Sequence, residues 1–486
     1  MHPFKVQNKV FNSIIKKGRM TVFGKEHNFQ KIKTYNSFKK QIPIRSYEKL
    51  YPYIYKSMQG KKNILWPGKV KWYAKSSGTT NSASKYIPIT NDSLKECHFK
   101  AGKDMLSLYA NNFPNYNLYN GKGIMLGGSI SNSKSMYNTG DLSAILLKHF
   151  PFWVSYHRVP DLKTALMSNW EKKIELIADQ AINENITNLT GVPSWMLLVL
   201  KKIMEKTKAQ NLLDVWPNLE LYMHGGVNFS PYQKIYTELI PTSKMNYMEG
   251  YNASEGFFAI QDKKNSDGML LMLDYGIFYE FIALEEYKKG SIQTITLEDI
   301  ELYKNYVIII STNAGLWRYE IGDVVQFTSN HPYRLKVTGR TKHFINAFGE
   351  ELIIENTDSA LLTACNYCNC IINDYTVAPI FISKNSGGHQ WFIEFKKKPK
   401  DIELFTTILD NELQNKNSDY KTKRENNLIL KKPEIISLIN NEFYIWLKES
   451  NKLGGQNKIP RLSNDRKLAD HLLKINSKFS TKTKPI

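Results

Sequence analysis

Residues 70–90 read, in order, Val70-Lys-Trp-Tyr-Ala74, Lys75-Ser-Ser-Gly-Thr-Thr-Asn-Ser-Ala-Ser-Lys85 and Tyr86-Ile-Pro-Ile-Thr90. Aromatic and apolar residues on both sides of a Ser/Thr/Gly segment predict two strands joined by a polar loop. Small residues let backbone N–H groups approach an anion closely, and hydroxyls add further donors. The pattern therefore indicates phosphate binding by Ser76, Ser77, Gly78, Thr79 and Thr80, with Lys85 nearby. A solvated surface loop is the alternative. The segment is no Walker A loop, because no Gly-Lys-Ser/Thr ends it.

Length and composition bound the number of domains. The chain has 486 residues, of which 42% are hydrophobic, and it contains 28 Tyr and 23 Phe. So many apolar and aromatic residues can bury a large core and argue against disorder. Because the length exceeds that of one ordinary domain, we expect two domains, or one large domain with a smaller appendage.

The chain is basic, with a net charge of +21 from 66 basic and 45 acidic residues. A nucleic-acid or anionic-membrane partner is one interpretation of this excess. Only nine of the basic residues are Arg, however, and the Lys are scattered rather than gathered in one stripe. Because Arg is the usual residue for bidentate phosphate and base contacts, its scarcity argues against a dedicated nucleic-acid binder. A codon bias toward Lys and Asn explains the charge as well, and a weak positive field favours anionic substrates.

The cysteines and the N-terminal sequence indicate the cellular compartment of the protein. Three of the four cysteines fall in Cys365-Asn-Tyr-Cys368-Asn-Cys370, without the second ligand pair of a zinc site, so buried thiols on a helix are expected. So few cysteines fit a reducing cytoplasm. The N-terminus lacks the apolar run of a secretory signal, and no apolar run approaches the roughly 20 residues that span a membrane. We therefore expect a cytoplasmic protein, monomeric and without a membrane segment.

The pattern along the chain predicts a large α/β body followed by a smaller α+β domain. Helices are predicted within residues 1–60, at residues 91–112 and 161–187, and from Gly191 to about residue 208. Strands are predicted at residues 219–223, from Asn246 into a polar loop, and at residues 306–310 and 323–327. After Gly339-Arg340 helices mix with about three strands, at residues 375–382, 390–395 and 428–430. The predicted fold class is α/β, with domains at residues 1–340 and 341–486 and a hinge at Gly339.

Two further polar clusters carry candidate chemistry. Tyr251-Asn-Ala-Ser-Glu255 ends in a carboxylate behind small residues, which could hold a magnesium ion that bridges phosphates. Trp317-Arg-Tyr-Glu-Ile-Gly-Asp323 places an Asp after a Gly at the entry to a strand, where its carboxylate can meet two vicinal hydroxyls such as those of a ribose. Taken singly, each cluster is better explained as a turn at the surface.

Together and in this order, the three clusters resemble the motifs of the acyl-adenylate-forming, firefly-luciferase-like superfamily. The match is closest to its auxin-responsive branch, the acyl acid amido synthetases. About 175 residues separate the first cluster from the second, and about 70 separate the second from the third. Further matches are Gly225-Gly226, Gly339-Arg340 and Gly455-Gln-Asn-Lys-Ile-Pro-Arg461. The resemblance spans roughly residues 35 to 470 and implies a large N-terminal adenylating domain with a small, mobile C-terminal domain.

The resemblance also implies ATP and Mg²⁺ as cofactors and a nucleotide-binding role for the matched residues. Ser76 to Thr80, with Lys85, would cradle the phosphates of ATP. Gly225 and Gly226 would lie against the adenine, and Tyr251 would stack near it. Asp323 would hold the ribose hydroxyls.

Three residues have implied roles in catalysis itself. Glu255, beside Ser254, would sit by the phosphates and bind Mg²⁺. Arg340 at the hinge would contact the ribose or a phosphate. Lys458 would be the mobile lysine of the small domain, which swings in to stabilise negative charge.

The implied reaction joins a carboxylic acid to an amine, with an amino acid as the expected acceptor. The carboxylate attacks the α-phosphorus of ATP and releases pyrophosphate, and the amine then attacks the acyl carbon and expels AMP. Cationic groups offset the accumulating negative charge, so no enzyme nucleophile is needed. That agrees with the absence of a Gly-x-Ser-x-Gly elbow.

The sequence also offers candidate walls for an acyl pocket and leaves two alternative functions open. Candidate pocket walls are residues 125–128, 152–156 and 191–196, and the many aromatic residues favour an aromatic or apolar acid, although these residues are equally typical of a core. One alternative is an acyl-adenylate-forming ligase that makes a thioester with coenzyme A or a carrier protein. The other is a basic nucleic-acid or surface-binding protein without catalysis, which would bind with a steep salt dependence.

Overall fold

The computed structural model describes residues 2–76, 85–131, 136–226, 229–264, 266–341, 344–345, 347–348, 350, 352–383, 386–424, 430–450, 452–453 and 458–480. The chain divides into two compact units. The first consists of Met1–Gly226 and Lys244–Val337, and the second of Val227–Ser243 and Thr338–Ile486.

The helices of the described part of the chain begin and end at residues suited to those positions. Pro3 and Pro193 open helices in the first turn, where a missing N–H costs nothing. Asn169 caps a third helix by accepting the N–H of Lys172 at 3.0 Å. The α-helices are α1 (Pro3–Gly18), α2 (Val22–Glu26), α3 (Tyr35–Gln41), α4 (Tyr47–Met58), α5 (Lys100–Asn112), α6 (Leu142–His149), α7 (Leu162–Ala165), α8 (Trp170–Ala181), α9 (Pro193–Thr207), α10 (Ser230–Leu239), α11 (Leu284–Lys288), α12 (Ile354–Tyr367), α13 (Ile402–Lys416), α14 (Ser418–Arg424), α15 (Glu442–Glu449) and α16 (Lys467–Ser480). A π-helix, Ser93–Phe99, precedes α5.

The strands fall mostly where apolar and aromatic runs predict them. They are β1 (Trp72–Ser76), β2 (Lys85–Ile89), β3 (Lys122–Met125), β4 (Ile130–Ser131), β5 (Asn138–Gly140), β6 (Arg158–Val159), β7 (Ile186–Thr190), β8 (Leu221–Gly225), β9 (Asn246–Ala253), β10 (Gly256–Ile260), β11 (Met269–Leu271), β12 (Ile277–Ala283), β13 (Asn305–Thr312), β14 (Tyr319–Asn330), β15 (Tyr333–Arg340), β16 (Phe344–Ile345), β17 (Leu352–Ile353), β18 (Ile371–Ser383), β19 (Ser386–Lys397) and β20 (Glu434–Ser437).

The first unit is built on a large mixed sheet. Within the described residues its strand order is β12-β13-β14-β15-β11-β10-β9-β8-β7-β3-β6. Neighbouring strands in the run β6-β3-β7-β8-β9 are parallel. The pairs β9–β10, β10–β11 and β11–β15 are antiparallel. A second sheet, in the order β2-β1-β5-β4, contains the hairpin that joins β1 to β2.

The two halves of the large sheet are buried in different ways. The parallel strands β7 and β8 are buried at nearly every position, as expected when both faces of a parallel sheet are covered. The antiparallel half shares one core with the N-terminal helices, where Phe11 and Phe23 lie in the same cluster as Ile308 and Trp317. Because β6, β3, β7, β8 and β9 are parallel, their carboxyl ends lie at a single edge of the sheet.

The second unit is an α+β layer arrangement. Its sheet, in the order β18-β19-β20 among the described residues, buries Tyr375 and Trp391 against Phe405 and Leu409 of α13. The helix α10 packs on β18 and α12, although its residues lie between β8 and β9 in the sequence. The compact units part between residues 337 and 338, and the predicted domain boundary at residue 340 stays a prediction.

One secondary-structure prediction was wrong. The helix predicted at residues 161–187 ends at Ala181, and Ile186–Thr190 forms β7, because its β-branched residues complete the buried parallel sheet. Of the strand predicted at residues 428–430, residues 428 and 429 lie outside the described residues, and Leu430 makes an isolated bridge to Gly387. Glu434–Ser437 forms β20, which pairs with β19. Across the described ranges, no helix is both long and apolar enough to cross a bilayer.

Candidate active site

The candidate site lies at the carboxyl edge of the parallel strands of the first unit. Loops follow β3, β7, β8 and β9 at this edge, and in parallel α/β sheets such an edge is where ligands bind. β8 ends at Gly225, Gly226 follows it directly, and the turn after β9 contains Ser254-Glu255. The sheet therefore brings together two of the matched motifs, which lie about 25 residues apart in the sequence.

The fold itself favours glycine at positions 225 and 226, for reasons that the sequence did not reveal. Gly225 pairs with Gly250 of β9, and a Cβ at position 225 would lie 2.2 Å from the Gly250 carbonyl oxygen. Glycine at 225 is therefore required for the close approach of β8 to β9. Gly226 has a φ of 81°, in the left-handed region that favours glycine. Their contact with an adenine stays a prediction.

Tyr251 and Asp323 join the second motif to the third. The Tyr251 hydroxyl donates a hydrogen bond of 2.7 Å to Asp323 Oδ2, and both residues are buried. Three strands separate β9 from β14 in the sheet order, so about 19 Å would separate them in a flat sheet with strands about 4.8 Å apart. The sheet must therefore curl strongly to bring the two side chains together. The Tyr251 ring packs on Phe258 with ring centroids 4.7 Å apart. Its visible role is thus to hold the Asp323 carboxylate.

Glu255 is paired with Tyr319 of the third motif. The Tyr319 hydroxyl donates to Glu255 Oε1 at 3.4 Å, and both side chains are buried. Burial, with the charge of Glu255 adding to it, raises the pKa of Tyr319 well above its ordinary value. Tyr319 therefore stays protonated and remains a donor to the carboxylate. Ser254, beside Glu255, is 5% exposed.

Ser76 and Lys85 flank the first motif. They form the last residue pair of the β1–β2 hairpin, and Lys85 Nζ lies 5.6 Å from the centre of the Tyr47 ring. Tyr47 is also close enough to Tyr319 to contribute to the raised pKa of that hydroxyl. The loop end of the β1–β2 hairpin therefore lies beside Tyr47. Ser77, Gly78, Thr79 and Thr80 lie outside the described residues.

The remaining predicted site residues belong to the second unit. Arg340 is the last residue of β15, and Lys458 is exposed and lies just before Ile459-Pro460. Their predicted roles stay predictions.

One local prediction about the site was wrong. Gly322-Asp323 lies within β14 rather than at the entry to a strand, near an irregularity in the pairing with β13 where Gly322 adopts a φ of 88°. The polar segment predicted after the strand that begins at Asn246 is a tight turn, in which Ser254-Glu255 joins β9 to β10 and Ala253 pairs with Gly256. Both motifs are therefore held by strand pairing, which limits the freedom of their carboxylates.

Sequence reasoning missed the buried lysine Lys173. Its ammonium donates to the carbonyl oxygens of Gly127 and Gly128 at 2.6 and 2.8 Å, and burial lowers its pKa to about 8. Asp141 holds the next residue of the same loop by accepting the Ser129 N–H at 2.6 Å. The loop after β3 is thus fixed from two sides. The detectable signal was a Lys at a buried position of an amphipathic helix, three residues after Trp170.

Glu249 and His224 were missed as well. They are register partners on the parallel strands β9 and β8, so their side chains lie on the same face near the carboxyl edge. Burial raises the pKa of Glu249 to about 7 and lowers that of His224 to about 3. The detectable signal was a titratable residue directly after a buried methionine in each of two strands, His224 after Met223 and Glu249 after Met248.

The predicted acyl-pocket walls are only partly supported. The loop at residues 125–128 is fixed at the candidate edge, as described above. Phe152, Trp153 and Tyr156 lie on the surface with 80, 57 and 69% of their area exposed. Trp195 and Met196 of the third predicted wall are buried in the core.

Models of three domains of one protein family match this chain. A model of the GH3 family N-terminal domain matches residues 1–245, one of the central domain matches residues 270–340, and one of the C-terminal domain matches residues 355–467. The first model alone matches half of the chain. The chain belongs to the GH3 family. The family resemblance predicted from the ordered motifs is thereby confirmed.

Curated GH3 relatives are distant. Indole-3-acetic acid-amido synthetase GH3.3 of Arabidopsis thaliana is 22% identical in an alignment of 391 positions that covers 66% of this chain and 64% of that relative. Jasmonoyl-L-amino acid synthetase JAR4 of Nicotiana attenuata is 22% identical in an alignment of 395 positions that covers 67% of each protein. The chain thus spans somewhat less than two thirds of the first of these GH3 relatives.

Solved structures confirm the predicted fold. The GH3.15 acyl acid amido synthetase in complex with 2,4-DB matches with a TM-score of 0.81 at 17% identity, covering 97% of this chain and 93% of that one. A 2-hydroxyisobutyryl-CoA ligase in the postadenylation state matches with a TM-score of 0.61 at 11% identity, covering 97% and 91%. The GH3 chain therefore has the fold of acyl-adenylate-forming enzymes, with a large N-terminal part and a smaller C-terminal part.

Proposed function

We propose that this GH3 protein activates a carboxylic acid as an acyl-adenylate with ATP and transfers the acyl group to an amine, forming an amide. The observation that carries the proposal is the hydrogen bond from Tyr251 to Asp323, which joins two motifs at the carboxyl edge of the sheet with Glu255 beside them. The names of the curated relatives support an amino acid as the amine. The aromatic residues along the chain favour an aromatic or apolar acid.

The side chains at this edge fit ATP and Mg²⁺. Asp323 is an acceptor held in place by Tyr251, which suits the two hydroxyls of a ribose. Glu255 offers a buried carboxylate, and Mg²⁺ prefers such oxygen ligands together with substrate phosphates. When bound, Mg²⁺ would neutralise charge on the phosphates. This fit supports Asp323 as the residue that would hold the ribose and Glu255 as the residue that would bind the metal.

The residues of the chain bind and orient the reactants in this proposal. Ser76 and Lys85, at the loop end of the β1–β2 hairpin, would direct the phosphates toward Glu255. The loop fixed by Lys173 would form part of the support for the acid. No side chain needs to attack the substrate, because the carboxylate of the acid and the amine are themselves the nucleophiles. The contribution of the enzyme is orientation and fixed charge.

The second unit would complete the site. We propose that residues 1–340 act as the adenylating domain and residues 341–486 as a mobile domain that supplies Lys458, with Arg340 at the hinge. A change between two arrangements would separate adenylation from transfer. We further propose that the protein works as a monomer in the cytoplasm and requires neither nucleic acid nor a membrane.

Exchange of labelled pyrophosphate into ATP, driven by each of a panel of aromatic and aliphatic acids, tests the proposal. We expect exchange with at least one acid, and AMP release that depends on an added amino acid. AMP release that depends on coenzyme A instead would identify a thioester-forming ligase. Folded protein that binds no ATP, but binds nucleic acid with a steep salt dependence, would refute adenylation altogether.

Asp323→Ala is expected to raise the KM for ATP at least tenfold. A hydrogen bond to a charged group contributes about 1.5–3 kcal/mol, and the variant removes the acceptor of the ribose hydroxyls. The measurement is the ATP dependence of pyrophosphate exchange. Tyr251→Phe is the matched control, since it removes the hydroxyl that holds Asp323 but keeps the carboxylate, and should raise the KM less. An unchanged KM in Asp323→Ala would remove Asp323 from the ribose site.

A further inference from the structure

The second unit contains a cavity that the proposed reaction does not use. Its volume is about 330 Å³, and it lies between α10, the end of α12 and the start of β18. Among the side chains that line it are Lys234 of α10 and the thiols of Cys365 and Cys370. The cavity is large enough for a small molecule to reach two buried sulfur atoms.

The two thiols are brought together by the turn that ends α12. Cys365 lies in the last turn of the helix, and Cys370 directly precedes β18. The N–H of Cys370 donates to the carbonyl oxygen of Cys365 at 3.0 Å, while Asn369 reverses the chain with a φ of 48°. Both side chains line the same cavity. The turn therefore holds the two residues close together along the backbone, as a disulfide between them requires.

The surroundings make Cys370 the nucleophile of the pair. The neighbouring Cys365 thiol lowers the pKa of Cys370 despite burial, and the positive charges of Lys234 and Lys397 lower it further. Lys234 is held beside this turn, since its Nζ donates to Asn369 Oδ1 at 3.1 Å. The neighbouring Cys370 sulfur, together with burial, raises the pKa of Cys365, which therefore remains a thiol. A thiolate beside a thiol is the arrangement of a redox-active pair.

We propose that Cys370 and Cys365 form a peroxide-reactive pair that is oxidised to a disulfide within this cavity. The Cys370 thiolate attacks one oxygen of a hydroperoxide, the O–O bond breaks, and Cys370 becomes a sulfenic acid while the other oxygen leaves as hydroxide or alcohol. Cys365 sulfur then attacks the Cys370 sulfur and releases water. Two thiols lose two electrons in total, and one hydroperoxide is reduced. A dithiol reductant reverses the reaction.

The other two cysteines serve as internal comparisons. Cys97 lies in the first unit, where its sulfur accepts the N–H of Phe257 at 3.2 Å and burial raises its pKa to about 12. Cys368 is half-buried on the same segment as the pair, and burial raises its pKa. Neither has the lowered pKa of Cys370, so both should react more slowly.

The test uses the reduced full chain. Hydrogen peroxide is added, free thiols are alkylated at intervals, and peptides are mapped by mass spectrometry. We expect a disulfide bond between Cys365 and Cys370 that dithiothreitol reverses. Cys97 and Cys368 should stay reduced and therefore be found alkylated. Cys368→Ser should form the same bond at the same rate. A wild-type protein in which Cys365 and Cys370 stay reduced, or in which Cys368 is linked instead, would overturn the proposal.

Single variants separate the two roles. Cys365→Ser should accumulate a sulfenic acid on Cys370 that dimedone traps, whereas Cys370→Ser should leave Cys365 reduced. A sulfenic acid found on Cys365 in the second variant would overturn the order of events.

Lys234→Met tests the part played by the lysine and should slow disulfide formation about three- to tenfold, because it removes a positive charge beside the thiolate. Lys396→Met is the matched control, since Lys396 pairs with Glu238 of the same helix at 2.9 Å and does not line the cavity. Equal rates in the two lysine variants would overturn the role of Lys234.

Discussion

Glu255→Gln is expected to reduce acid-dependent pyrophosphate exchange by about a hundredfold or more, because one charged group that stabilises developing charge contributes on that scale. Gln has the shape of Glu and can still accept the hydrogen bond of Tyr319 through its amide oxygen. The variant therefore removes the negative charge proposed to bind Mg²⁺ while the hairpin turn is preserved. The measurement is the exchange rate over a series of Mg²⁺ concentrations, with the free energy of unfolding determined alongside.

Tyr319→Phe is the control for that experiment. It removes the 3.4 Å hydrogen bond to Glu255 but keeps the carboxylate. Because this hydrogen bond is long and therefore weak, and the carboxylate proposed to bind Mg²⁺ is kept, the loss of activity should be clearly smaller than in Glu255→Gln. If Glu255→Gln exchanges pyrophosphate at the wild-type rate at every Mg²⁺ concentration, Glu255 does not bind the metal.

Arg318→Met is expected to lower the free energy of unfolding by about 3–5 kcal/mol, the range for breaking a buried ion pair. The Arg318 side chain is 4% exposed and that of Glu280 is 0% exposed, and Arg318 Nη2 lies 2.9 Å from Glu280 Oε1. Arg318 also donates to the Ile42 carbonyl oxygen at 2.7 Å and to Thr294 Oγ1 at 2.8 Å. The variant leaves the Glu280 carboxylate buried without its cation. Equilibrium denaturation with urea measures the change.

Two further variants make the stability prediction specific. Lys304→Met breaks an ion pair with Glu301 whose side chains are 39 and 70% exposed, and should cost less than about 1 kcal/mol. Arg318→Met combined with Glu280→Met should be more stable than Arg318→Met alone, because no buried charge then remains. If Arg318→Met unfolds at the same urea concentration as the wild type, the ion pair does not stabilise the first unit.

Some residues of the third motif stabilise the fold, and others contact residues of the candidate site. Arg318 locks the start of β14 to β12, Tyr319 reaches Glu255, and Asp323 meets Tyr251. The sequence predicted the chemistry of Asp323 from its residue type and its Gly neighbour. It could not separate the structural Arg318 from the site residues beside it, because all lie within one short polar cluster.

Sequence alone determined much of the local structure and the family. The run from Val70 to Thr90 predicted two strands and a polar loop, and β1 and β2 lie there. The regions predicted at residues 191–208, 306–310 and 390–395 needed only shifts at their ends, because apolar periodicity and turn residues act within a few positions of the chain. The order and spacing of three motifs sufficed for the family, since an ordered set is far more specific than any of its members.

Only the tertiary structure decided which distant groups meet. The hydrogen bond between Tyr251 and Asp323 depends on the curl of a sheet whose strands β9 and β14 are not neighbours. Burial of Lys173 beneath the loop at Gly127, and packing of α10 in the second unit, depend likewise on long-range packing. Local patterns encode which backbone conformation a segment prefers, whereas the partner of a side chain is chosen by the packing of the whole core, which no short window of sequence contains.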